Sequence, residues 1–289
     1  MKFTRALIAL ATVMTMATVS APHAGGTVST GSDGPFAGAI VSELIAPKPD
    51  WYTDALHTKV VAAGKQGESV PIPDAVDYPT SGLAFTGIRP GAWIIAPAGC
   101  TTNFVFGSAG NYSIGTAGHC TEVGDEVTLI AAPGVLMNIG ETVKSVDNGI
   151  GNDFALIDIY PAMQQYVTPS MAYFGGPTSK GDPRFGDLVE HAGHGLVIGT
   201  GGTPRAGVVV YRGSGENGGD AFAWDGAATP GDSGSAVREA TGEAAGNLTH
   251  LVVGDKYAPG VVAGTSIDRM LRIAGKPLAT APNLPNPLY

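Results

Sequence analysis

Two short stretches of this chain combine residue types that can carry out nucleophilic chemistry. Residues 116–120 (TAGHC) place His119 between glycine and cysteine, and residues 231–235 (GDSGS) place Ser233 between glycines. A serine hydroxyl becomes a useful nucleophile when a neighbouring imidazole accepts its proton. We therefore treat His119 as a candidate general base and Ser233 as a candidate nucleophile.

Gly231 has a role of its own in this hypothesis. A residue without a Cβ can turn its backbone N–H toward the point that the N–H of Ser233 also faces. Two such donors would form an oxyanion hole for a developing negative charge. The alternative is a plain surface turn, which a chain with 43 glycines can contain by chance. The histidine stretch favours the catalytic interpretation.

A third group, a carboxylate, should orient the imidazole and stabilise its cation. Asp153 opens the apolar run NDFALI, so its side chain can be buried at the start of a strand. Asp158 lies at an odd spacing from Asp153 and is expected on the opposite face of that strand. Asp147, in the preceding turn, is the weaker competitor.

The elements that must position these residues are short β-strands. Runs of Val, Ile, Thr and Tyr alternate with Gly-rich turns, which is typical of an all-β protein. The first group of predicted strands covers residues 93–95, 103–106, 112–116, 126–131, 135–146 and 153–159. The second group covers residues 188–198, 206–211, 221–224, 247–253 and 260–267, followed by a short helix over 268–274 that Gly275 caps.

The N-terminal part differs from the rest of the chain in composition. Residues 1–24 have a short basic start, an apolar run and then small residues, which predicts a secretory signal and an extracellular protein. The apolar run is too short for a comfortable membrane span, so no membrane association is expected after its removal. Residues 25–86 are rich in Gly, Ser and Pro, with a weakly helical patch at 50–63. They form either a removable pro-segment or an ordered N-terminal arm on the domain, and residues 87–289 form the main domain.

Composition argues against other functional classes. The formal net charge is -9 and no cluster of Lys and Arg occurs, so no nucleic-acid partner is expected. Cys100 and Cys120 are the only cysteines, and in an exported protein they predict one disulfide beside His119. His191 and His194 lie three residues apart in a Gly-rich stretch without helical character. We expect neither a metal ion nor a cofactor.

In the order His119, Asp153, Ser233, with TAGHC, NDFALI and PGDSGS around them, the chain resembles the chymotrypsin-like serine peptidases, particularly their short secreted streptogrisin-like branch. The resemblance implies two packed six-stranded antiparallel β-barrels with a short C-terminal helix and the site between the barrels. It also implies a monomeric secreted endopeptidase that acts on polypeptides through an acyl-enzyme.

The resemblance also places residues near the substrate. Alignment by motif puts Ala227 at the floor of the primary pocket, and an uncharged floor argues against a preference for lysine or arginine. Thr249 is expected to form a hydrogen bond with Asp153. Thr249 or His250 could contact a substrate side chain, in the case of His250 an acidic one, although a structural role for His250 is the leading alternative. We expect a small or apolar residue before the scissile bond.

Two features depart from the family pattern. Ser235 stands where a second glycine is frequent, and no Ile-Val-Gly-Gly start follows a basic residue. A new amino terminus is therefore not expected to pair with Asp232, which would need another cation. Arg184, Arg205 and Arg212 are the candidates.

Two functions of other kinds stay open. A protein with the same fold could bind a partner or act at the cell surface without turnover, because a blocked cleft leaves no trace in the sequence. A serine esterase could use the same triad, although the order of the triad residues and the lack of Gly-x-Ser-x-Gly argue against an α/β-hydrolase.

Overall fold

The computed structural model describes residues 27–32, 34–73, 86–95, 97–195, 203–254 and 260–284. Two curled antiparallel β-sheets make up most of it, and a short helix follows the last strand. This confirms the expected all-β double-barrel fold class. Within the ranges described, no helix is both long enough and apolar enough to cross a lipid bilayer.

The strands of the first sheet lie mainly in the first half of the chain. They are β3 (Val70–Pro71), β4 (Trp93–Ile95), β5 (Gly99–Thr101), β6 (Val105–Ser108), β7 (Asn111–Thr116), β8 (Glu126–Ala132), β9 (Val135–Asp147) and β10 (Asp153–Ile159). Their order is β5-β4-β8-β9-β10-β7-β6, and β3 pairs with β9.

The second sheet combines the C-terminal half with two strands from the N-terminal segment. It contains β1 (Val28–Thr30), β2 (Ile40–Glu43), β11 (Leu188–Gly193), β12 (Thr203–Ser214), β13 (Asp220–Asp225), β14 (Ala236–Glu239), β15 (Ala244–Asn247), β16 (His250–Val253) and β17 (Val261–Thr265). Their order is β1-β2-β16-β17-β13-β12-β11-β14-β15.

Helices are few and short in the described ranges of the chain. The α-helices are α1 (Asp54–Gly64) and α2 (Ile267–Ala274), and short 3-10 helices cover Gly34–Phe36, Gly118–Cys120, Pro161–Tyr166 and Glu216–Gly218. Helix α2 begins one residue before the predicted helix and ends where predicted. The Ser266 hydroxyl accepts a hydrogen bond from Arg269 N, and Gly275 adopts φ +67° at the C-terminal cap.

Both sheets have more strands than the six expected for each barrel. The sequence patterns do not predict β5 (GCT), β14 (AVRE) or β15 (AAGN), because three or four residues are too few to show a clear alternation of apolar and polar side chains. The N-terminal segment adds β1, β2 and β3. Residues 196–198 of one predicted strand lie outside the described residues.

The N-terminal segment packs on both sheets as an ordered arm. Tyr52, Val60 and Val70 are buried in one cluster with Trp93 and Leu136 of the first sheet. Strand β2 extends the second sheet by pairing with β16. Residues 27–73 are therefore integrated into the fold, and their removal stays a prediction. The predicted signal, residues 1–24, lies outside the described residues.

The predicted disulfide is present. Cys100 in β5 is bonded to Cys120, the last residue of the 3-10 helix that carries His119, with an S–S distance of 2.01 Å. Both cysteines are buried. The bridge therefore ties the segment that carries His119 to the strand next to the cleft.

Replacing both cysteines by alanine should lower the free energy of unfolding. The two cysteines are 20 residues apart. Closing a loop of that size lowers the conformational entropy of the unfolded chain, which raises the free energy of unfolding by about 3 kcal/mol. Urea unfolding followed by circular dichroism measures the change, and the reduced wild-type protein serves as the control. A loss below about 1 kcal/mol in both samples would contradict the prediction.

Candidate active site

The three side chains of the sequence hypothesis meet between the two sheets. His119 Nδ1 lies 2.6 Å from Asp153 Oδ2, and His119 Nε2 lies 2.8 Å from Ser233 Oγ. A neutral imidazole protonated on Nδ1 donates to the carboxylate and leaves Nε2 free to accept the serine proton. The geometry suits a nucleophile, its general base and an orienting acid.

Close packing of the backbone positions His119. Its 3-10 helix follows β7, and Gly118 lies so near β9 that a Cβ there would be 1.9 Å from Val146 O. The N–H groups of Gly118 and His119 both donate to Asp153 Oδ1, at 2.5 and 3.2 Å. The same carboxylate thus holds the ring of His119 and the backbone that carries it.

Asp153 is itself held by the other sheet. It is fully buried at the first residue of β10. Its N–H donates to Thr265 Oγ1, and its carbonyl oxygen accepts hydrogen bonds from Thr265 Oγ1 and Asn247 Nδ2. Sequence reasoning missed Asn247 and Thr265, because residues that bind only a distant backbone leave no local pattern.

The structure separates the competing aspartates. The Asp158 carboxylate faces away from the site, where it accepts hydrogen bonds from Ser113 and Lys276. Asp147 is exposed at the end of β9, with a carboxylate oxygen within 4.8 Å of His119 and Asp153 ligand atoms. Only Asp153, among these three, receives the described hydrogen bond from the His119 ring.

Two backbone donors converge beside Ser233. The N–H groups of Gly231 and Ser233 both donate to the carbonyl oxygen of Leu44, at 2.6 and 3.1 Å. Gly231 adopts φ +104°, and a Cβ at this residue would lie 2.6 Å from His194 O. This position therefore requires glycine, and its geometry is what an oxyanion hole needs.

Arg205 is the cation that faces Asp232. Its two guanidinium nitrogens lie 2.6 and 2.8 Å from the two oxygens of the fully buried carboxylate. The N–H groups of Gly195 and Thr229 also donate to Asp232. Of the other two candidates, Arg212 contacts Asp182 and Asp220, and Arg184 is exposed.

Ala227, the predicted floor of the primary pocket, is exposed, while its neighbour Ala228 packs against the apolar cluster that contains Leu44. The assignment of Ala227 to the pocket floor stays a prediction.

The expected hydrogen bond from Thr249 to Asp153 is wrong, because the Thr249 hydroxyl has other partners in the described residues. The Thr249 hydroxyl is 2.8 Å from His250 Nδ1 and 3.3 Å from Ala263 O. His250 lies nearer the carboxylate, with Nδ1 3.8 Å from Asp153 Oδ2. His250 is buried, and its ring centroid is 5.6 Å from that of His119.

The pKa values of the two neighbouring imidazoles shift in opposite directions. Burial disfavours the cation of His119, but the charge and hydrogen bond of Asp153 outweigh burial and raise its pKa. Burial likewise opposes ionisation of Asp153, and the charge and hydrogen bond of His119 lower the Asp153 pKa. Burial dominates at His250, lowering its pKa to about 4. His119 is thus the ring that holds a proton more readily.

Among the described residues, three groups of side chains could hold a metal ion, and each includes His119. The other members are Cys100 and Cys120, Glu43 and His250, or Asp147 and Asp153. The cysteines form a disulfide and offer no thiolate. Both ring nitrogens of His119 already have partners in Asp153 and Ser233. The positions of the two His119 nitrogens therefore suit proton transfer better than metal binding.

The N-terminal segment covers this site. Ser233 is fully buried, and the His119 side chain is 2% exposed. Residues 41–46 lie over both side chains, with Leu44 in contact with the nucleophile. The sequence predicted a pro-segment or an N-terminal arm, but gave no sign that this segment lies over Ser233.

The comparisons with known proteins find similarity to solved structures alone. No protein-family model and no curated protein sequence matches the chain. Similar solved structures include Thermobifida fusca protease A (19% identity, 68% of this chain and 98% of that chain, TM-score 0.48). Others are Nocardiopsis protease (20%, 66% and 98%, 0.47) and Cellulomonas bogoriensis chymotrypsin (17%, 66% and 98%, 0.45). The chemical interpretation therefore depends on the geometry of the site.

Replacing Arg205 by methionine should destabilise the protein strongly. The change leaves the Asp232 carboxylate buried without its cation, which typically costs about 3–5 kcal/mol. Arg205→Lys should recover only part of this, because an ammonium cannot make the paired hydrogen bonds of a guanidinium. Urea unfolding measures both variants. Exposed Arg184→Met is the control, expected within about 0.5 kcal/mol of wild type, and equal losses for Arg184 and Arg205 would contradict the assignment.

The two histidines should titrate on opposite sides of the ordinary value of 6.5 in a Ser233→Ala protein. His119 should keep its proton above that pH because Asp153 stabilises its cation, whereas His250 should lose its proton near pH 4 because of burial. Imidazole ¹⁵N NMR follows each ring. Asp153→Asn should move the His119 titration to lower pH, and an unchanged midpoint would contradict this account.

Proposed function

We propose that this protein is a secreted serine endopeptidase whose catalytic residues are His119, Asp153 and Ser233. The 2.8 Å contact between His119 Nε2 and Ser233 Oγ, next to two converging N–H donors, is the observation that carries the proposal. Acyl transfer by a serine requires a nucleophilic hydroxyl, a general base that accepts its proton, and preorganised donors that stabilise the oxyanion.

The mechanism follows from these positions. Ser233 Oγ attacks the scissile carbonyl carbon while its proton passes to His119 Nε2, and Asp153 stabilises the resulting imidazolium. The N–H groups of Gly231 and Ser233 bind the tetrahedral oxyanion. His119 then protonates the leaving nitrogen, the peptide bond breaks, and water hydrolyses the acyl-enzyme by the reverse sequence of proton transfers.

The surroundings of the nucleophile support a preference for an apolar residue before the scissile bond. The side chain of Leu44, whose carbonyl oxygen faces the two donors, is 4% exposed. It belongs to an apolar cluster with Phe222, Trp224 and Leu248. Burying a leucine side chain contributes about 2 kcal/mol, whereas burying an unpaired charge there would cost several.

Export is the other part of the proposal. The signal-like residues 1–24 and the Cys100–Cys120 disulfide both support an oxidising, extracellular location. The N-terminal arm over the cleft supports synthesis as an inactive precursor. We propose a monomer that acts on polypeptides without a cofactor.

A protein that binds without turnover is the second candidate, and the covered cleft is the observation that favours it. Ser233 is fully buried by the chain's own N-terminal segment. If the cover is permanent, a serine-directed phosphonate will label nothing in the secreted protein. Labelling of Ser233 distinguishes the peptidase from this alternative.

Ser233→Ala should abolish hydrolysis of casein by the secreted protein without changing its fold. Asp153→Asn should lower kcat by about 10⁴-fold, because the imidazole loses the partner that sets its tautomer. Asp158→Asn, on the same strand but facing Lys276, is the matched control and should keep wild-type activity. Equal activity in the Ser233→Ala protein would refute the proposed function.

A further inference from the structure

An extended piece of the N-terminal segment crosses the cleft from one sheet to the other. On one side β2 pairs antiparallel with β16, with Glu43 opposite His250 and Ser42 opposite Leu251. On the other side Ala46 exchanges two backbone hydrogen bonds with Gly99 of β5, at 2.9 and 2.8 Å. The chain is thus held on both sides of the residues between Glu43 and Ala46.

The residue at the centre of this crossing is Leu44. Its carbonyl oxygen accepts the hydrogen bonds of Gly231 and Ser233, at 2.6 and 3.1 Å. Its own N–H lies 3.0 Å from Ser233 Oγ and 3.4 Å from Thr249 O. The carbonyl group is polarised by two donors, and the nucleophile lies against the backbone of the same residue.

We propose that the protein cleaves its own Leu44–Ile45 bond, and that residues 41–46 represent the substrate sequence it prefers. This inference rests on the proposed function and specifies the first bond that the site hydrolyses. Backbone pairing on both sides, a buried leucine side chain and a carbonyl in the donor pair are the contacts that a peptide substrate needs.

The reaction is balanced by residues in place and one water molecule. Ser233 Oγ bonds to the Leu44 carbonyl carbon as its proton moves to His119 Nε2. His119 returns that proton to the Ile45 nitrogen when the C–N bond breaks, which frees the Ile45 amine. Water then gives its hydroxyl to Leu44 and its proton, by way of His119, to Ser233; the new Leu44 carboxylic acid ionises by releasing a proton to solvent.

The uncut chain already has the machinery for this step. The loop that presents both N–H donors is held by the bidentate Arg205–Asp232 pair. No newly released amino terminus is required to order it. Cleavage can therefore occur within the precursor, at a rate independent of protein concentration.

The cut leaves two pieces with different fates. Residues from Ile45 onward keep their anchors in the first sheet, because Tyr52 and Val60 of the arm are buried there. Residues 27–44 keep only non-covalent contacts, such as the buried ring of Phe36 and the hydrogen bonds between Ser32 and Glu216. The mature chain should begin at Ile45, and the released piece should inhibit it until it dissociates.

Glu43 extends the inference to the residue before leucine. One of its carboxylate oxygens lies within 4.8 Å of ring nitrogens of His119 and His250. A carboxylate there stabilises the imidazolium that forms on His119 during the reaction, whereas a lysine ammonium opposes it. The site should therefore favour an acidic residue before the leucine.

The first test follows the secreted full-length chain by intact mass and N-terminal sequencing. Wild type should begin at Ile45, and Ser233→Ala should retain residues 27–44. The cleavage rate should not change over a tenfold range of protein concentration. Leu44→Met should still be cut, while Leu44→Asp should be cut at least about 100-fold more slowly, because the pocket is apolar.

The second test uses peptides, so that it does not depend on folding of the Leu44 variants. Mature enzyme should cut the peptide VSELIAPK after leucine, and should cut the VSKL analogue about tenfold more slowly. His250→Phe should leave this Glu-to-Lys ratio largely unchanged, because burial keeps His250 uncharged above about pH 4 and the preference acts through the His119 imidazolium. Equal cutting of the two peptides would overturn the role of Glu43.

The outcomes separate this inference from the proposed function. Wild type that hydrolyses casein in a Ser233-dependent way but retains residues 27–44, or starts at a residue other than Ile45, would overturn the inference and leave the function standing. A wild-type protein that hydrolyses neither casein nor the peptide, with Ser233 unlabelled by phosphonate after removal of residues 27–44, would overturn both.

Discussion

The buried ion pair between Arg205 and Asp232 is the constraint on which the site depends. A buried carboxylate is costly unless a cation and hydrogen-bond donors surround it. Here the guanidinium, together with the N–H groups of Gly195 and Thr229, meets that requirement. Because Asp232 lies between Gly231 and Ser233, fixing its side chain also fixes the direction of the two N–H donors beside it.

The N-terminal segment has two roles that share one set of contacts. As strand β2 it satisfies the edge of β16, which would otherwise present unpaired backbone groups. The residues of this segment around Leu44 fill the apolar pocket, and the Leu44 carbonyl oxygen accepts the hydrogen bonds of the Gly231 and Ser233 N–H groups. If the proposed function holds, a substrate peptide would make the same backbone hydrogen bonds, so that the fold of the N-terminal segment and substrate recognition would depend on the same edge of the sheet.

Two histidines lie 5.6 Å apart and behave differently because of their partners. His119 forms a 2.6 Å hydrogen bond with Asp153, which stabilises its cation. His250 is 3.8 Å from the same carboxylate and bonds to the neutral hydroxyl of Thr249. Burial therefore prevails at His250, and in the proposed mechanism only His119 transfers protons.

Much of the site could be predicted from local sequence, because glycine at 231, the Ser233 hydroxyl and the His119 imidazole have chemistry that their neighbours reveal. The fold class and the disulfide were equally accessible, since strand patterns and two cysteines are local features. Strands such as β15 were not, because its short run of small residues (AAGN) has no alternating pattern of apolar and polar side chains.

The sequence by itself determined which groups can react: a hydroxyl, an imidazole and a carboxylate, with glycines that permit close backbone approach. Only the tertiary structure decided which arginine faces Asp232 and which peptide lies in the cleft. Arg205 is 27 residues from Asp232, and Leu44 is 189 residues from Ser233. Such contacts arise from the register of strands that pair across the sheets, and register is set by packing of the whole chain rather than by any local run of residues.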